Sequence, residues 1–344
     1  MNPASVRAGW PTLADILAAR QRIAGTALQT PLVPSQYLTK AIGSDFLLKL
    51  EMTQPTGAFK LRGAANAVFA LSGDVPGVVC CSTGNHGRSV AFAAKKRGLK
   101  AVVCMSALVP EAKVEGIRAL GAEVRIVGRS QDEALAESLR LRDEEGLVEI
   151  SPFDDALVIA GQGTIGLEIL EERPDVETLL IPLSGGGLAA GIAIAAKAIK
   201  PAVKVIGVSM DRGAAMEASI RVGHPVAVTE VASLADSLGG GIGLKNRLSF
   251  AICRELLDAV VLVSEEEIYR AMQTLYYEDR LVAEGASVVG IAAMQAGKIA
   301  SLPPGPVAAI ITGRNLDMKQ FSDIMRGANI DLDGTIVKGK RYGE

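Results

Sequence analysis

The sequence predicts an α/β protein with two open, mainly parallel sheets and helices on both faces. Short apolar runs alternate with stretches of helical periodicity along most of the 344 residues, which is the pattern of repeated strand–helix–strand units. The runs are rich in Val, Ile and Leu and lack polar alternation, as a covered parallel sheet requires. Strands are closely spaced in residues 77–150 and more widely spaced after residue 176, so we expect two sheets.

In chain order, a helix is predicted over residues 12–24 and a short strand over residues 45–50, both from the spacing of apolar residues. Another helix begins near Lys60. Seven further strands are predicted at residues 77–81, 101–105, 123–127, 176–183, 203–208, 258–263 and 307–312. Residues 326–344 show no clear pattern, and we expect a loose tail there.

The composition of the chain argues against several kinds of partner and against a zinc site. The 36 basic and 38 acidic residues nearly cancel without a long run of one sign, so we expect no nucleic-acid or membrane partner. No apolar run reaches the roughly 18 residues of a spanning helix, and no signal core follows Met1, so we expect a cytoplasmic protein. The cysteines lack the paired spacing of a zinc site, and we interpret them as reduced core residues. They are Cys80, Cys81, Cys104 and Cys253.

Lys60 is the first candidate for chemistry. Thr56, behind Pro55, is a plausible N-cap, which places Lys60 in a first helical turn. The helix dipole disfavours an ammonium group there, so the lysine should be easier to deprotonate and suits the role of amine nucleophile or base. Alone, this pattern also fits a solvated surface lysine.

Three strand ends carry further candidates, because ligands of open parallel sheets bind outside the carboxyl ends of strands. Residues 82–87 free backbone N–H groups at a helix start for a carboxylate or phosphate, and Asn85 adds an amide that can donate to a phenolic oxygen. At the last strand end, the Thr312 hydroxyl can hydrogen-bond a buried heteroatom without bringing a charge. For both loops, an ordinary tight turn is the alternative.

The third strand end, residues 184–188, has three consecutive glycines. They cost backbone entropy and are best explained by close approach of a bulky anion such as a phosphoester. The loop lacks the Gly-Lys-Ser/Thr ending of a nucleoside-triphosphate site, so we expect the phosphate of a cofactor. The Gly-x-Gly-x-x-Gly of residues 161–166 is not such a site, because it continues a helix and lacks the preceding strand of a dinucleotide fold.

Together these features resemble the fold-type II pyridoxal-phosphate enzymes, most closely the threonine/serine dehydratase and serine racemase branch. The resemblance covers nearly the whole chain and includes Thr30-Pro31-Leu32, Lys49-Leu50-Glu51, residues 161–166 and Glu284-Gly285-Ala286. It implies pyridoxal 5'-phosphate as cofactor and a homodimer. It also implies a small substrate-closing domain at residues 76–156 and a large cofactor-binding domain at residues 1–75 and 157–344, with the Ser151–Asp155 segment at their boundary.

The resemblance assigns roles by position. Lys60 would be the Schiff-base lysine and then the base for the Cα proton, with Phe59 beside the cofactor ring. Asn85 would bond the phenolic oxygen and Thr312 the pyridine nitrogen. The phosphate loop would be Ser184, Gly185, Gly186, Gly187 and Leu188. The substrate carboxylate would bind at Ser82, Thr83, Gly84, Asn85 and His86.

These roles favour elimination. A neutral hydroxyl at the pyridine nitrogen makes the ring a weaker electron sink than an aspartate would, so a long-lived carbanion is disfavoured. We therefore expect a dehydratase, or ammonia-lyase, that converts threonine, serine or 3-hydroxyaspartate to a keto acid and ammonia. A serine- or aspartate-type racemase is the rival, because Thr83 stands where the racemase has a reprotonating serine. An NAD-binding or non-catalytic α/β protein is the alternative from another class.

The sequence departs from the family at several positions. Ser209 and Ala215 stand where the divalent-cation site has acids, so we expect no metal there. Residues 236–241 replace the commoner Asp-Gly pair. Arg314 replaces a small glycine, and we expect its charge to serve a second substrate carboxylate, with an exposed ion pair as the alternative. These substitutions resemble a subgroup assigned to hydroxyectoine or β-hydroxyaspartate use.

Overall fold

The structure is a computed structural model that describes residues 9–82, 84–107, 109, 111–129, 131–299 and 304–344. Within these residues the strands are β1 Leu32–Pro34, β2 Phe46–Lys49, β3 Val78–Cys81, β4 Ala101–Met105, β5 Glu123–Ile126, β6 Val148–Glu149, β7 Thr178–Pro182, β8 Lys204–Met210, β9 Ala259–Val263, β10 Val307–Ile310, β11 Ile330–Leu332 and β12 Thr335–Val337. The helices are α1 Leu13–Ile23, α2 Gln36–Ile42, α3 Lys60–Ala70, α4 Asn85–Arg97, α5 Glu111–Arg118, α6 Gln131–Glu145, α7 Ala156–Glu172, α8 Gly187–Ile199, α9 Ala215–Val222, α10 Ser249–Leu256, α11 Glu265–Asp279, α12 Val289–Gln295 and α13 Met318–Met325.

Two sheets organise the chain. The larger has the order β1-β2-β10-β7-β8-β9 and is parallel except for the edge strand β1. The smaller has the order β5-β4-β3-β6 and is parallel throughout. Helices cover both faces of the larger sheet, where separate apolar clusters form. The predicted fold class is confirmed, and its strands agree with the structure to within a few residues.

Each of the three candidate loops follows an interior strand. Residues 82–87 follow β3 of the smaller sheet, whereas residues 184–188 and 312–315 follow β7 and β10 of the larger one. The division into two domains stays a prediction. All four strands of the smaller sheet fall inside the predicted small domain, residues 76–156.

The Gly-x-Gly-x-x-Gly segment lies inside α7, as expected of a sequence that is not a nucleotide loop. A Cβ on Gly161 would lie 2.6 Å from the carbonyl oxygen of Arg62 in α3. A Cβ on Gly163 would lie 2.9 Å from the carbonyl oxygen of Gly191 in α8, and one on Gly191 would lie 2.2 Å from that of Ile159. These glycines let three helices pack with their backbones almost in contact.

The predicted loose tail is wrong. Strands β11 and β12 pair as a hairpin, and Asp333 and Gly334 both have positive φ angles, 50° and 87°, at its two-residue turn. An Asp-Gly pair between short alternating apolar runs is the sequence signal of such a turn, and it was present in the sequence. Farther along, the Tyr342 ring stacks on Tyr277 of α11 at 4.9 Å, so the end of the chain packs on the larger sheet's helices.

Candidate active site

Lys60 is the first residue of α3, as predicted, but Thr56 is not the N-cap. Phe59 occupies that position, and no side chain caps the helix among the described residues. The Thr56 hydroxyl instead lies 3.3 Å from the Ser89 hydroxyl of α4. The chain turns into the helix because the amide of Phe59 donates to the carbonyl oxygen of Thr312 at 2.9 Å, which fixes this loop beside the end of β10.

The Lys60 amine sits in a partly buried, largely uncharged environment. Its Nζ donates to the carbonyl oxygen of Pro152 at 2.8 Å and lies 5.3 Å from the centre of the Phe59 ring. Burial lowers the pKa of Lys60 from 10.5 to about 8, because the charged form loses solvation. The expected ease of deprotonation therefore has burial, rather than the helix dipole, as its main cause. About a tenth of the amine is thus neutral at pH 7, far more than for a lysine with its ordinary pKa.

The segment Pro152–Asp154 joins the lysine to the glycine loop. Pro152 receives the lysine hydrogen bond, and the next residue, Phe153, packs directly on the loop. A Cβ on Gly185 would lie 2.3 Å from the Phe153 ring, and a Cβ on Gly187 would lie 2.8 Å from its backbone. Two of the three glycines are therefore required by Phe153, a reason that the sequence did not reveal.

Asp154 secures the other side of the loop. Its carboxylate accepts from the backbone N–H groups of Arg247, Leu248 and Ser249 at 2.9, 2.8 and 3.0 Å, which caps α10. Ser249 in turn donates its hydroxyl to the carbonyl oxygen of Gly185 at 2.7 Å. Through α10, Asp154 holds the backbone of the glycine loop in place.

The glycine loop presents a helix start to the site. Gly186 has a φ of 89°, and α8 begins at Gly187 without a side-chain cap among the described residues. Because the first N–H groups of a helix have no intrahelical partner, they are available to an anion. The Cys253 thiol donates to the carbonyl oxygen of Gly186 at 3.4 Å, and burial raises its pKa to about 12, so it stays a neutral thiol.

The loop after β3 brings Asn85 and His86 to the same region. Asn85 begins α4, and His86 is buried with its Nε2 2.8 Å from the carbonyl oxygen of Ile150. Burial, together with the nearby charge of Lys60, lowers the pKa of His86 to about 3, so the ring is neutral. Ser82 and Gly84 flank the loop, and the amide of Gly84 donates to the Ser82 hydroxyl at 3.3 Å. Thr83 lies outside the described residues.

Glu284 connects Asn85 to the larger sheet. Both of its oxygens lie 3.1 Å from the Asn85 Nδ2, and one accepts from the Ser237 hydroxyl at 2.8 Å. The other accepts from the backbone N–H of Asn315 at 2.7 Å. Burial raises the pKa of the Glu284 carboxyl, while these hydrogen bonds oppose the rise. The sequence had singled out the Glu284 motif only as part of a resemblance, and the structure shows its contacts.

Thr312 lies two residues past the end of strand β10, with its side chain buried. Its hydroxyl lies 2.9 Å from the hydroxyl of Ser287, which also donates to the carbonyl oxygen of Gly313 at 2.9 Å. The pair is uncharged, as predicted for Thr312. Ser287 itself was missed, because nothing in its local sequence distinguishes it from other serines in turns.

A buried ionic cluster underlies the lysine helix. Arg62 contacts Glu51 through two nitrogens at 2.8 Å each and Glu168 at 2.6 and 2.8 Å, and Lys49 contacts Glu168 at 2.6 Å. Burial alone would raise the pKa of Glu51, but the charge and hydrogen bonds of Arg62 hold it below its usual value. This cluster of two cations and two anions explains why Lys49-Leu50-Glu51 accompanies the lysine loop.

Arg314 lies beside the lysine loop. Its backbone N–H donates to the carbonyl oxygen of Gly57 at 3.0 Å, and its side chain is exposed. In the described part of the chain its guanidinium has no carboxylate partner, so the alternative of a simple ion pair receives no support. Likewise, the described residues contain no group of three or more His, Cys, Asp or Glu side chains arranged to hold a metal ion.

Comparison with known proteins decides the family. The sequence profile described as "Pyridoxal-phosphate dependent enzyme" matches residues 23–313. The chain belongs to this family. A Sinorhizobium fredii protein provisionally named threonine dehydratase is 54% identical over 92% of this chain and 96% of its own length. An L-threonine ammonia-lyase of Thermotoga maritima is 40% identical over 91% of this chain and 78% of its own.

Solved structures agree on the fold. The structure of maize serine racemase has a TM-score of 0.86 and is 31% identical, covering 92% of this chain and 97% of that one. The predictions of a fold-type II pyridoxal-phosphate enzyme, of this cofactor and of a carbon–oxygen lyase are confirmed. The racemase rival fits less well, because the threonine ammonia-lyases are the more similar in sequence.

The residues present fit pyridoxal phosphate. The Lys60 amine, with its lowered pKa, suits the cofactor's aldehyde, and the uncapped start of α8 suits its phosphate. The Asn85 amide suits the phenolic oxygen, and the neutral Thr312 hydroxyl suits the pyridine nitrogen. In the described residues, no helix is both long and apolar enough to cross a membrane.

Proposed function

We propose that this enzyme eliminates water from a β-hydroxy amino acid and releases a keto acid and ammonia. One combination carries the proposal: the chain is similar to threonine ammonia-lyases, the pKa of Lys60 is lowered, and Thr312 and Ser287 form an uncharged hydrogen-bonded pair. An uncharged partner at the pyridine nitrogen favours elimination over chemistry that needs a long-lived carbanion. Threonine and serine are the simplest substrates of this class.

The chain's own residues divide the work. Pyridoxal phosphate, when bound, supplies the electron sink that acidifies the Cα proton. Lys60 removes that proton as general base, since burial lowers the pKa of its amine toward neutrality. Residues 82–86, which lead into the start of α4, bind the α-carboxylate of the substrate. Asn85 orients the cofactor ring. Ser287 holds the Thr312 hydroxyl in position at 2.9 Å.

A panel assay tests the proposal. Purified holoenzyme is given L-threonine, L-serine and the isomers of 3-hydroxyaspartate, and ammonia, keto acid and substrate chirality are measured. We expect ammonia and keto acid in equal amounts, with Lys60→Ala inactive. Chiral inversion without ammonia release would replace the proposal with a racemase. A protein without visible cofactor absorbance, unchanged by borohydride, would remove the cofactor roles of its residues.

Arg314 gives the proposal its finer form. We propose that its exposed side chain, carried by a backbone that is hydrogen-bonded to the lysine loop, serves a second substrate carboxylate, because arginine binds carboxylates with two parallel hydrogen bonds. Equal losses of threonine and hydroxyaspartate turnover in Arg314→Ala would contradict this role. A homodimer, a cytoplasmic location and the small domain that closes on substrate stay predictions, the first of which sedimentation of the holoenzyme tests directly.

A further inference from the structure

We infer that a cavity lined by Arg212 and Glu265, separate from the catalytic residues, is a second binding site for a free amino acid with a cationic side chain. The cavity has a volume of about 350 Å³, within the roughly 300–1,000 Å³ of small-molecule sites. None of the residues assigned to the catalytic site lines it, and neither do Ser209 and Ala215, the positions of the family's cation site. The inference therefore does not depend on the proposed function.

The cavity lies where an open parallel sheet usually binds ligands. Asp211 and Arg212 directly follow β8, and Ser264 and Glu265 directly follow β9, its parallel neighbour. Ligands of such sheets bind outside the carboxyl ends of the strands. Residues 335–337 of the C-terminal hairpin supply another wall of the cavity. The two loops and the hairpin thus form a pocket at a second place along the same edge of the larger sheet.

Two charged side chains of this wall each have a buried atom without a hydrogen-bond partner. Six such side-chain atoms occur among the described residues, and the only two in charged groups are Arg212 Nη1 and Glu265 Oε1. Neighbours hold both side chains in place: Arg212 Nη2 donates to the Thr335 hydroxyl at 3.3 Å, and Glu265 Oε2 accepts from the Leu234 N–H at 2.8 Å. Since an unfilled buried donor or acceptor is costly, the two atoms indicate a ligand that brings one acceptor and one donor.

The two groups interact without forming an ion pair. Glu265 is only 4% exposed, and burial raises the pKa of its carboxyl, while contacts with Ser233 and Leu234 and the charge of Arg212 oppose the rise. Among the ion pairs of the described residues, none joins Arg212 to Glu265. Opposite charges therefore face one cavity with a gap between them.

A zwitterion fills this gap on both sides. The carboxylate of an amino acid would accept from Arg212 Nη1, and its ammonium group would donate to Glu265 Oε1. Each buried atom would then have its partner, and each charge its counter-charge. A simple anion would leave the Glu265 oxygen unfilled, and a simple cation would leave the Arg212 nitrogen unfilled, so neither fits the cavity as well.

The remaining charges of the cavity select the side chain of the ligand. Asp211 and Glu266, both exposed, also line the cavity, and Arg212 is the sole base among the described residues that line it. Once the zwitterion is matched by Arg212 and Glu265, two carboxylates remain. They favour a cationic side chain and repel an anionic one, since like charges at an interface are unfavourable.

The test measures binding of three related compounds by titration calorimetry. Holoenzyme is first reduced with borohydride, which fixes the cofactor on its lysine, so that an added amino acid cannot react there. The probes are L-lysine, L-norleucine, which lacks the side-chain amine, and 1,5-diaminopentane, which lacks the carboxylate. The variants are Arg212→Gln and Glu265→Gln, which keeps an acceptor for the Leu234 N–H. Arg118→Gln is the matched control, because Arg118 is a surface arginine paired with Glu115.

We expect the wild type to bind L-lysine more tightly than either analogue. Arg212→Gln should raise the Kd for L-lysine by roughly 10- to 100-fold, the effect of one lost charge-assisted hydrogen bond, and leave the Kd for 1,5-diaminopentane unchanged. Glu265→Gln should weaken both ligands, and Arg118→Gln neither.

Three results would overturn the inference: no binding of L-lysine at millimolar concentration, the same L-lysine Kd in Arg212→Gln as in the wild type, or L-norleucine bound as tightly as L-lysine. If Glu265→Gln fails to fold, the comparison of L-lysine with 1,5-diaminopentane in Arg212→Gln still decides the matter. A failed ammonia assay would refute the proposed function and leave this binding test as it stands.

Discussion

The side-chain nitrogen of Lys60 lies 2.8 Å from the carbonyl oxygen of Pro152, so the reactive lysine is hydrogen-bonded to a segment that connects the two sheets. That segment continues through Phe153, which packs on the glycine loop, to Asp154, which caps α10. The lysine and the glycine loop, 124 residues apart in sequence at Lys60 and Ser184, are thereby held by three consecutive residues.

The first prediction concerns the lysine's protonation. Only a neutral amine attacks the cofactor's aldehyde, and the pKa of Lys60 is about 8. We expect the rate of covalent cofactor capture by apoenzyme to rise with pH and level off above about pH 8, as followed by absorbance in rapid mixing. A rise that continued to pH 10 would show a lysine with its ordinary pKa. Lys60→Ala, which cannot capture the cofactor covalently, is the control.

Asp154→Asn should loosen the phosphate site. The change weakens the acceptor for three backbone N–H groups at the start of α10, whose Ser249 holds the carbonyl of Gly185. We expect the Kd for pyridoxal phosphate, measured by fluorescence, to rise by about 10-fold. Asp155→Asn is the matched control, since Asp155 caps α7 through Val158 instead. Equal effects of both changes would mean that capping, and not loop support, is responsible.

Glu168→Gln tests the buried ionic cluster. The change leaves Lys49 and Arg62 with Glu51 as their only remaining anion in the cluster, within a region that excludes water. We expect the free energy of unfolding in urea to fall by roughly 3–5 kcal/mol. Glu171→Gln, which removes an exposed partner of Arg20, should cost less than about 1 kcal/mol. Similar losses from the two variants would contradict the role of burial.

Gly191→Ala tests the contact between α7 and α8. The added methyl would lie 2.2 Å from the carbonyl oxygen of Ile159, and backbone on both helices must shift to accept it. We expect a loss of about 1–3 kcal/mol in the free energy of unfolding, measured by urea titration. Gly290→Ala, whose methyl would lie 3.1 Å from the Leu180 Cβ, should change stability less. An unaffected Gly191→Ala would show that the helices are not closely packed.

Much of the fold followed from periodicity alone. Buried strands such as β4 are read from continuous apolar runs, and an α/β architecture follows from their alternation with helices. The C-terminal hairpin was missed because its two strands have three residues each, too few for a periodic signal, although Asp333-Gly334 marked the turn.

The positions of three candidate residues in the fold were predictable from local patterns. Lys60 and Asn85 each begin a helix, and Thr312 follows strand β10 by two residues. Contacts between distant segments were not predictable. Ser287 and Phe153 acquire their significance only from partners at Thr312 and Gly185, and no local pattern encodes such pairs.

The connector Pro152–Asp154 has a consequence for engineering this enzyme. Chains are usually cut, permuted or extended at segments between domains, because such segments tend to make few contacts. Here the backbone oxygen of Pro152, the ring of Phe153 and the carboxylate of Asp154 each hold a different part of the site. A split or an inserted tag at residues 152–154 would therefore inactivate the protein even if both halves folded.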